Sequence, residues 1–297
     1  MKASPGFSIV IPAYNEARFI AGCLESLKSQ NTKTSFEIII VDNGSTDSTD
    51  KIAESFGARV VYEKRKGVCW ARQAGFKAAK GEIVISTDAD TEFKPNWLAN
   101  IEKGFNKKTR RNGIVAVSGP VRYSGGPLWG RVWAHILFGF VAIWAKLLSR
   151  PPYVSACNLA FRKDSFDGYN TELTQGGDEL DVLRRIKKRG RVVYLPRNYT
   201  ITSSRRFVRG FVYNFFVSFL VYYVLDYTIS RFTKKSPFGS WHDYRNEVEP
   251  RTLAFIQFIV VTLLVFGFLV LTRPGQYIYR HVYHYVRSAQ GEIKDKL

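Results

Sequence analysis

The sequence predicts an α/β fold with a mostly parallel central sheet. Two short runs, FSIVI at residues 7–11 and FEIIIV at residues 36–41, are dominated by apolar, β-branched residues. Such runs are typical of strands buried on both faces of a parallel sheet. Between them, apolar side chains recur at helical spacing from Phe19 to Leu27. Strands that alternate with helices of this length favour parallel pairing, and such sheets bind ligands beyond the carboxyl ends of their strands.

The same alternation continues along the chain and loosens after residue 114. The pattern predicts, in order, a helix over 47–56, a strand over 58–62, a helix over 68–79, a strand over 82–87, a strand over 114–118, a hydrophobic insert at 128–148, a helix over 178–189 and a strand over 191–195. Asp42, Asp88 and Asp90 fall at the ends of predicted strands. We therefore expect these three carboxylates at one edge of the sheet.

The chain is strongly basic, with a formal charge of +19 over 297 residues. This charge indicates an anionic partner, and nucleic acid, an anionic membrane surface and a phosphorylated substrate all satisfy it. The three cysteines lie far apart and lack the spacing of a zinc site or a disulfide framework. Their arrangement favours a reducing compartment.

Residues 252–272 predict a transmembrane helix. They are 21 residues without a charge, bracketed by Arg251 and Arg273, and about 20 apolar residues cross the core of a bilayer as a helix. The N-terminus has a short apolar run broken by Pro12 and lacks the long apolar core of a signal peptide. We therefore expect the catalytic part on the cytoplasmic face of the cytoplasmic membrane.

Two further segments have the pattern of helices that lie in a membrane interface. In residues 211–225, polar side chains recur every four residues from Asn214 and form one narrow stripe, which favours an interfacial helix over a second membrane span. In residues 128–148, basic side chains lie near one helical face and tryptophans lie elsewhere. Tryptophan favours the headgroup zone, so an anionic membrane surface is a suitable partner for the basic chain.

The segment Ile85-Ser86-Thr87-Asp88-Ala89-Asp90 ends a predicted strand with two carboxylates one residue apart. Such a pair is suited to a hard cation, Mg²⁺ or Mn²⁺, and leaves coordination positions free for substrate phosphates. Such a cation would neutralise negative charge that develops on a departing phosphate group. Alone, the pair is also compatible with an ordinary turn.

Its neighbours favour the cation site. Pro12-Ala13-Tyr14-Asn15-Glu16 follows the first strand, Val41-Asp42-Asn43-Gly44-Ser45-Thr46-Asp47 follows the second, and Gly67 and Arg72 precede the aspartates. In this order the motifs resemble the donor half of a family 2 glycosyltransferase with the GT-A fold, over roughly residues 6–207. The resemblance implies a GT-A catalytic domain at 1–206, with a donor half at about 6–110 and an acceptor half at about 111–206. An interfacial helix and loop at 207–250 would follow, and then the transmembrane helix and a basic tail at 251–297.

The resemblance also implies roles for single residues. The nucleotide-sugar site would comprise Pro12, Ala13, Tyr14, Glu16, Asp42, Arg72, Asp88, Arg205 and Arg206, and the metal ligands would be Asp88 and Asp90. Asp42 would accept a hydrogen bond from the base, and Asn43-Gly44-Ser45-Thr46 of the DNGST segment also has the pattern of a turn and a helix N-cap. Arg72 would contact the donor phosphates, with a surface ion pair as the alternative.

The segment Gly176-Gly177-Asp178-Glu179-Leu180-Asp181 resembles the family's E-D-x-D-L-x-x-R motif, with Arg184 at its last position. In that register Asp178 and Glu179 stand in reversed order, and either one is a candidate for the general base that deprotonates an acceptor hydroxyl. We favour Glu179. Acidic residues at a helix N-terminus also complement the helix dipole. One base without a nucleophile implies inversion at the anomeric carbon.

Arg205 and Arg206 follow the last predicted part of the acceptor half, directly before the membrane segments. They resemble the family's phosphate-binding arginines, and a basic rim facing lipid headgroups is the alternative. The Q-x-x-R-W motif of processive members does not occur in the sequence, which disfavours a polysaccharide synthase.

These features predict transfer of a sugar from a UDP- or GDP-sugar to a membrane acceptor, either a polyprenyl phosphate or a lipid-linked glycan. A sugar-nucleotide pyrophosphorylase would need a glycine-rich basic loop where this chain has PAYNEA. A catalytically degenerate member that serves as a membrane-binding scaffold is the other hypothesis. Nucleic-acid binding is disfavoured because the aromatic residues lie in apolar runs and not in a basic groove.

Overall fold

The computed structural model describes residues 5–107, 113–173 and 178–205, together with Phe207, Gly210 and Asn214. The strands are β1 (Phe7–Ala13), β2 (Phe36–Asp42), β3 (Arg59–Tyr62), β4 (Ile83–Ser86), β5 (Thr91–Phe93), β6 (Ile114–Ser118), β7 (Val121–Ser124), β8 (Leu159–Arg162), β9 (Arg191–Tyr194) and β10 (Thr200–Ser203). The helices are α1 (Ile20–Lys28), α2 (Thr49–Ser55), α3 (Val68–Ala78), α4 (Trp97–Phe105), α5 (Leu128–Leu148) and α6 (Asp178–Arg189). Arg206, the predicted transmembrane helix at 252–272 and, apart from Asn214, the predicted interfacial helix at 211–225 lie outside the described residues.

Within the described chain, the large sheet has the strand order β3-β2-β1-β4-β8-β6-β9. Strands β1 to β4 run parallel to one another, and β9 runs parallel to β6. Only β8 runs against its neighbours β4 and β6. The predicted α/β fold with a mostly parallel sheet is therefore confirmed.

Apolar side chains on both faces of this sheet form two cores. One core contains Leu24 of α1 and Trp97 of α4, and the other contains Phe76 of α3 and Val182 of α6. Strand β4 is buried at all four positions, which explains why its sequence is a continuous apolar run. Each large aliphatic side chain that is fully buried contributes about 1.5–3 kcal/mol to the free energy of folding. Strands whose side chains are apolar on both faces are therefore most stable in the interior of the sheet.

The sheet register places the predicted motifs side by side. Ala13 at the end of β1 pairs with Asp42 at the end of β2, and the Asn43 N–H donates to the Ala13 carbonyl at 2.8 Å. The Thr87 N–H donates to the Val10 carbonyl at 3.2 Å, so the chain carries Asp88 to the same edge. Asp42 and Asp88 therefore lie at one edge of the sheet, as the sequence predicts.

A second, smaller sheet extends this edge. It has the order β5-β10-β7, with β10 antiparallel to β5 and parallel to β7. The Ser203 N–H donates to the Asp90 carbonyl at 3.2 Å. A residue near the end of the described chain therefore lies against the second aspartate of the predicted metal site.

Two helical glycines provide a matched test of the packing. A Cβ on Gly75 of α3 would lie 2.2 Å from Val10 Cγ1 and 2.9 Å from Val41 Cγ2, whereas a Cβ on Gly139 of α5 would meet nothing within 4 Å. We expect Gly75→Ala to lower the free energy of unfolding by about 1–3 kcal/mol through overpacking. Gly139→Ala should raise it by about 0.5–1 kcal/mol. Equilibrium denaturation measures both, and equal effects would contradict the seating of α3 on β1 and β2.

Candidate active site

Asn15 ties the loop after β1 to the loop after β2. Its backbone has a φ of +53°, a left-handed conformation that asparagine tolerates better than most residues. The Asn15 N–H donates to Ser45 Oγ at 3.0 Å, and its side-chain Oδ1 accepts from the Thr46 N–H at 2.7 Å. These bonds fix Tyr14 and Glu16, on either side of Asn15, beside the end of β2.

Asp42 is buried, and its carboxylate accepts the Ser45 N–H at 3.1 Å. The turn expected from DNGST is therefore present, with Gly44 at a φ of +81°. The cap of α2 differs from the expectation, because Asp47 Oδ1, one residue beyond DNGST, accepts the Thr49 N–H at 3.0 Å. A carboxylate anchored in this way keeps a fixed orientation for any ligand at the strand ends.

Lys66 was not found by the sequence reasoning. Its ammonium lies 4.1 Å from the centroid of the Tyr14 ring and donates to the carbonyls of Asn43 and Gly44 at 3.0 Å each. One face of the ring predicted to stack on a base therefore has a cation over it. The sequence signal for this residue is a cation directly before Gly67.

Arg72 lies buried between the two halves of the site. Its guanidinium donates to Asp88 Oδ1 at 3.1 Å, and through its other terminal nitrogen it donates to Asp178 Oδ2. Asp178 is buried, while Asp88 retains partial exposure. The ion pair considered for Arg72 is therefore present, but it is buried rather than on the surface, and it joins the end of β4 to the first residue of α6.

Glu179 lies next to Asp178 and is partly buried. Burial, the charge of Asp178 and a hydrogen bond with Asp178 raise the pKa of Glu179 to about 8, against a smaller lowering effect of Arg72. A carboxyl group whose pKa is raised by burial together with a specific charged neighbour is a frequent mark of acid-base chemistry. Arg184, at the last position of the motif, pairs with Asp181 at 2.7 Å on the same helix.

Arg205 forms a second charge network around Asp90. Its guanidinium pairs with both carboxylate oxygens of Glu16 at 2.8 and 2.7 Å, and its Nε lies 3.1 Å from Asp90 Oδ2. Asp90 Oδ1 accepts from the hydroxyl of Thr202 at 3.0 Å. Arg205 and Glu16 are 189 residues apart in the sequence, so the second half of the chain closes onto the loop after β1.

The residues present fit a divalent cation. Asp88 and Asp90 supply carboxylate oxygens, the ligand type that Mg²⁺ and Mn²⁺ prefer. Among the described residues no group of three or more His, Cys, Asp and Glu side chains is arranged to hold a metal. A cation at this pair would share the two carboxylates with Arg72 and Arg205.

This geometry agrees with the comparison to known proteins. The profile described as Glycosyl transferase family 2 matches residues 8–169, more than half of the chain. The chain belongs to this family. The family match covers β1, β2 and β4 with their loops and both aspartates, so the predicted membership in family 2 is confirmed.

Two curated glycosyltransferases align with part of the chain. The putative glycosyltransferase EpsH of Bacillus subtilis (strain 168) is 34% identical over 111 residues, which cover 36% of this chain and 32% of that protein. Glycosyltransferase AglE of Haloferax volcanii is 32% identical over 127 residues, which cover 40% of each chain. The chain thus spans between about a third and two fifths of the length of these relatives.

Among solved structures, the chain resembles S. aureus TarS 1–349 in complex with UDP. The TM-score is 0.52 at 20% identity, over 68% of this chain and 63% of that chain. At this identity the likeness concerns the fold alone. It confirms the predicted GT-A architecture.

The buried ion pair of Arg72 with Asp178 of α6 is tested by comparison with an exposed ion pair that also involves a residue of α6. Arg72→Met leaves the carboxylate of Asp178 buried without its cation, so we expect a loss of about 3–5 kcal/mol in the free energy of unfolding. Arg189 and Asp167 form an ion pair at 2.9 Å in which both side chains are more than half exposed. Arg189→Met should therefore cost at most about 1 kcal/mol. Equal losses in the two variants would show that Arg72 is not a buried partner.

The raised pKa of Glu179 gives a signed pH dependence. Its folded pKa of about 8 lies above the ordinary value of 4.5, so the folded state retains a proton that the unfolded state has lost. Stability from this group is present below about pH 4.5 and is lost as the pH rises to about 8. We expect Glu179→Gln to gain thermal stability relative to wild type between about pH 5 and pH 9. The matched change Glu25→Gln, at an exposed position on α1, should give a profile parallel to that of the wild type. A parallel profile for Glu179→Gln would contradict the shift.

Proposed function

We propose that the chain transfers a sugar from a UDP- or GDP-sugar to an acceptor held at a membrane, with inversion at the anomeric carbon. The observation that carries this proposal is the Asp88-Ala89-Asp90 pair at the carboxyl end of β4, with one arginine on each aspartate. Two carboxylates and two guanidinium groups at the same edge match the needs of an anionic donor and its cation. Family membership supports the same reaction class.

The nucleotide would lie across the ends of β1 and β2. Pro12 and Ala13 would form the floor, Tyr14 would offer a ring face, and the carboxylate of Asp42 would accept from the base. The turn through Ser45 holds Asp42 in place, which reduces the ordering required when the ligand binds. TarS, whose fold this chain shares, has been crystallised with UDP and with UDP-GlcNAc, which supports a uridine donor as the first to be tested.

Asp88 and Asp90 would hold Mg²⁺ or Mn²⁺, which when bound neutralises the diphosphate as the sugar bond breaks. Arg205 would then change partners. In the present arrangement it is the counter-ion of Asp90 and Glu16, and its planar guanidinium is also suited to a phosphate group. It would exchange the Asp90 contact for a phosphate contact, together with Arg206. Glu16 would keep the guanidinium of Arg205 close to the site during this exchange.

The choice of base favours Glu179 over Asp178. Asp178 is engaged by the buried guanidinium of Arg72, so its lone pairs are less available to an acceptor hydroxyl. Glu179, with a pKa of about 8, is a stronger base than an ordinary carboxylate, and the deprotonated fraction that can accept a proton grows as the pH rises towards 8. Arg72 would position α6 through Asp178, and Glu179 would take the proton of the acceptor as its oxygen attacks the anomeric carbon.

The acceptor class determines whether this base is used. A lipid-linked glycan presents a hydroxyl and needs a base, whereas a polyprenyl phosphate attacks as an anion, in which case Asp178 and Glu179 would position it. The uncharged segment at 252–272 supports an acceptor held at the cytoplasmic face of the membrane. A degenerate, binding-only member is the second candidate, and the observation that favours it is that both aspartates already have arginine partners.

The deciding experiment is a screen of nucleotide sugars for transfer by full-length protein in membranes. The panel pairs UDP- and GDP-sugars with a polyprenyl phosphate and with a lipid-linked glycan, and the products are identified by mass spectrometry. Transfer to one acceptor supports the proposal. Nucleotide-sugar binding without release of a nucleoside diphosphate, across the whole panel, would favour the scaffold.

Asp90→Asn tests the cation site within the same assay. The change keeps the shape of the side chain and the hydrogen bond from Thr202 but removes the negative charge. We expect release of nucleoside diphosphate to fall by about 100-fold or more, since an electrostatic contribution to the transition state is lost. The matched control is Asp164→Asn, at an exposed position in the connection after β8, which should retain wild-type activity. Activity near wild type in Asp90→Asn would remove the metal assignment.

A further inference from the structure

Helix α5 exposes an apolar stripe along its whole length. The stripe is formed by Leu128, Val132, Ile136, Phe140, Ile143 and Leu147, with exposed fractions between 47% and 75%. Among the described residues, the large hydrophobic side chains that are exposed all belong to this helix, apart from Tyr62. A contiguous apolar patch of this kind marks an interaction surface and not an ordinary solvent-exposed face.

The opposite face of α5 is fixed to the catalytic domain. Gly130, Ala134, Phe138 and Val141 are buried at helical spacing. A Cβ on Gly130 would lie 2.6 Å from the Phe207 ring, and Phe138 packs on Tyr153 with ring centroids 6.1 Å apart. Because the buried positions extend from the first turn to beyond the middle, the helix lies along the domain surface.

This attachment bears on how α5 meets a membrane. Among the described residues it is the one helix that is long and apolar enough, by length and composition, to cross a bilayer. A crossing helix would have to leave the domain, exposing the buried face and its contacts with Phe207 and Tyr153. Lying flat retains these contacts and presents the apolar stripe to the acyl boundary, about 5–10 Å deep.

The charged residues beside the apolar stripe indicate which partner binds it. Arg131, His135 and Lys146 border the apolar stripe on one side, and Arg150 follows the helix. No acidic residue occurs between Glu102 and Asp164 in the sequence. A second copy of α5 would bring like charges together, and residues 208–297 also carry more basic than acidic residues. An anionic lipid surface is the partner that complements both the apolar stripe and its basic border.

Phe207, near the end of the described residues, also contacts α5. Phe207 packs edge-on against Tyr123 and Trp129, with ring centroids 4.5 and 5.0 Å apart. Trp129 belongs to the first turn of α5, so Phe207 lies beside the start of this helix. Phe207 therefore adds to the contacts that hold the face of α5 opposite the stripe against the domain.

We propose that α5 lies flat in the interface of an anionic bilayer, with the stripe from Leu128 to Leu147 in the acyl boundary and Arg131 and Lys146 on lipid phosphates. This goes beyond the transfer reaction, since it assigns the face by which the catalytic domain rests on the membrane. In this arrangement β10, which holds Asp90 through Thr202, lies near the helix that rests on the membrane. The readout below requires neither a donor nor an acceptor, so its failure is independent of the proposed function.

The test uses full-length protein in vesicles with an environment-sensitive fluorophore on one introduced cysteine. The reporters are Ile136→Cys and Ile143→Cys on the stripe, and the matched control is Tyr62→Cys, an exposed hydrophobic position on β3. The native cysteines are buried and serve as a labelling blank. We expect bromine-labelled lipids to quench the stripe reporters at least about threefold more than the control, as insertion into the acyl boundary requires.

The same vesicles test whether the stripe prefers anionic lipid, because the bromine label can be placed either on the anionic lipid or on the zwitterionic one. Brominated phosphatidylglycerol should quench the stripe reporters more than brominated phosphatidylcholine at equal content, and Arg131→Gln with Lys146→Gln should abolish the difference. Quenching no greater than at position 62 would overturn the proposal. Disulfide cross-linking of Ile136→Cys between copies without lipid quenching would assign the face to a second copy. If the introduced cysteines resist labelling in detergent as well as in vesicles, again without lipid quenching, the stripe is covered by residues 208–297.

Discussion

Carboxylates gathered at one edge of a sheet repel one another unless cations lie between them, and this constraint governs the site. Asp88, Asp178, Asp90 and Glu16 meet at the ends of β1 and β4, and two arginines divide them into pairs. Arg72 serves the side that faces α6, and Arg205 serves the side that faces β10. Each guanidinium therefore connects a donor-half residue to the second half of the chain. The same contacts that make the acidic edge tolerable also hold the two halves together.

Much of this arrangement could be predicted from the sequence, because burial on both faces leaves a continuous apolar run. Strands β1, β2 and β4 were predicted on that basis, and the aspartates follow their ends. Strands β5, β7 and β10 contain polar residues and lack a continuous apolar run, and β8, like them, pairs with strands distant in sequence. The contact of Arg205 with Glu16 and the position of Lys66 over Tyr14 depend on loop closure. No local pattern of residues encodes that closure.

The reversed order of Asp178 and Glu179 acquires a physical meaning in the structure. The shorter side chain lies where the Arg72 guanidinium is fixed, and the longer one lies beside it, partly exposed. Exchanging the two would bring a longer carboxylate against a buried cation and leave a shorter one towards the cleft. The order thus puts the shorter carboxylate on the buried cation of Arg72 and the longer one, which has the raised pKa, at the partly exposed position.

The hydrogen bonds of β10 to Asp90 set a limit on the distance between the candidate site and α5. Thr202 holds the Asp90 carboxylate, and Phe207 lies on Trp129 of α5. Five residues of extended chain reach at most about 17 Å, so Thr202, which holds the Asp90 carboxylate, lies within that distance of Phe207. In the proposed arrangement, an acceptor whose reactive group stands close to the headgroups is reached without any further domain movement. A reactive group carried far above the bilayer on a long glycan would lie out of reach of the site. In the proposed arrangement, the length of the segment from Thr202 to Phe207 therefore limits the size of the acceptor.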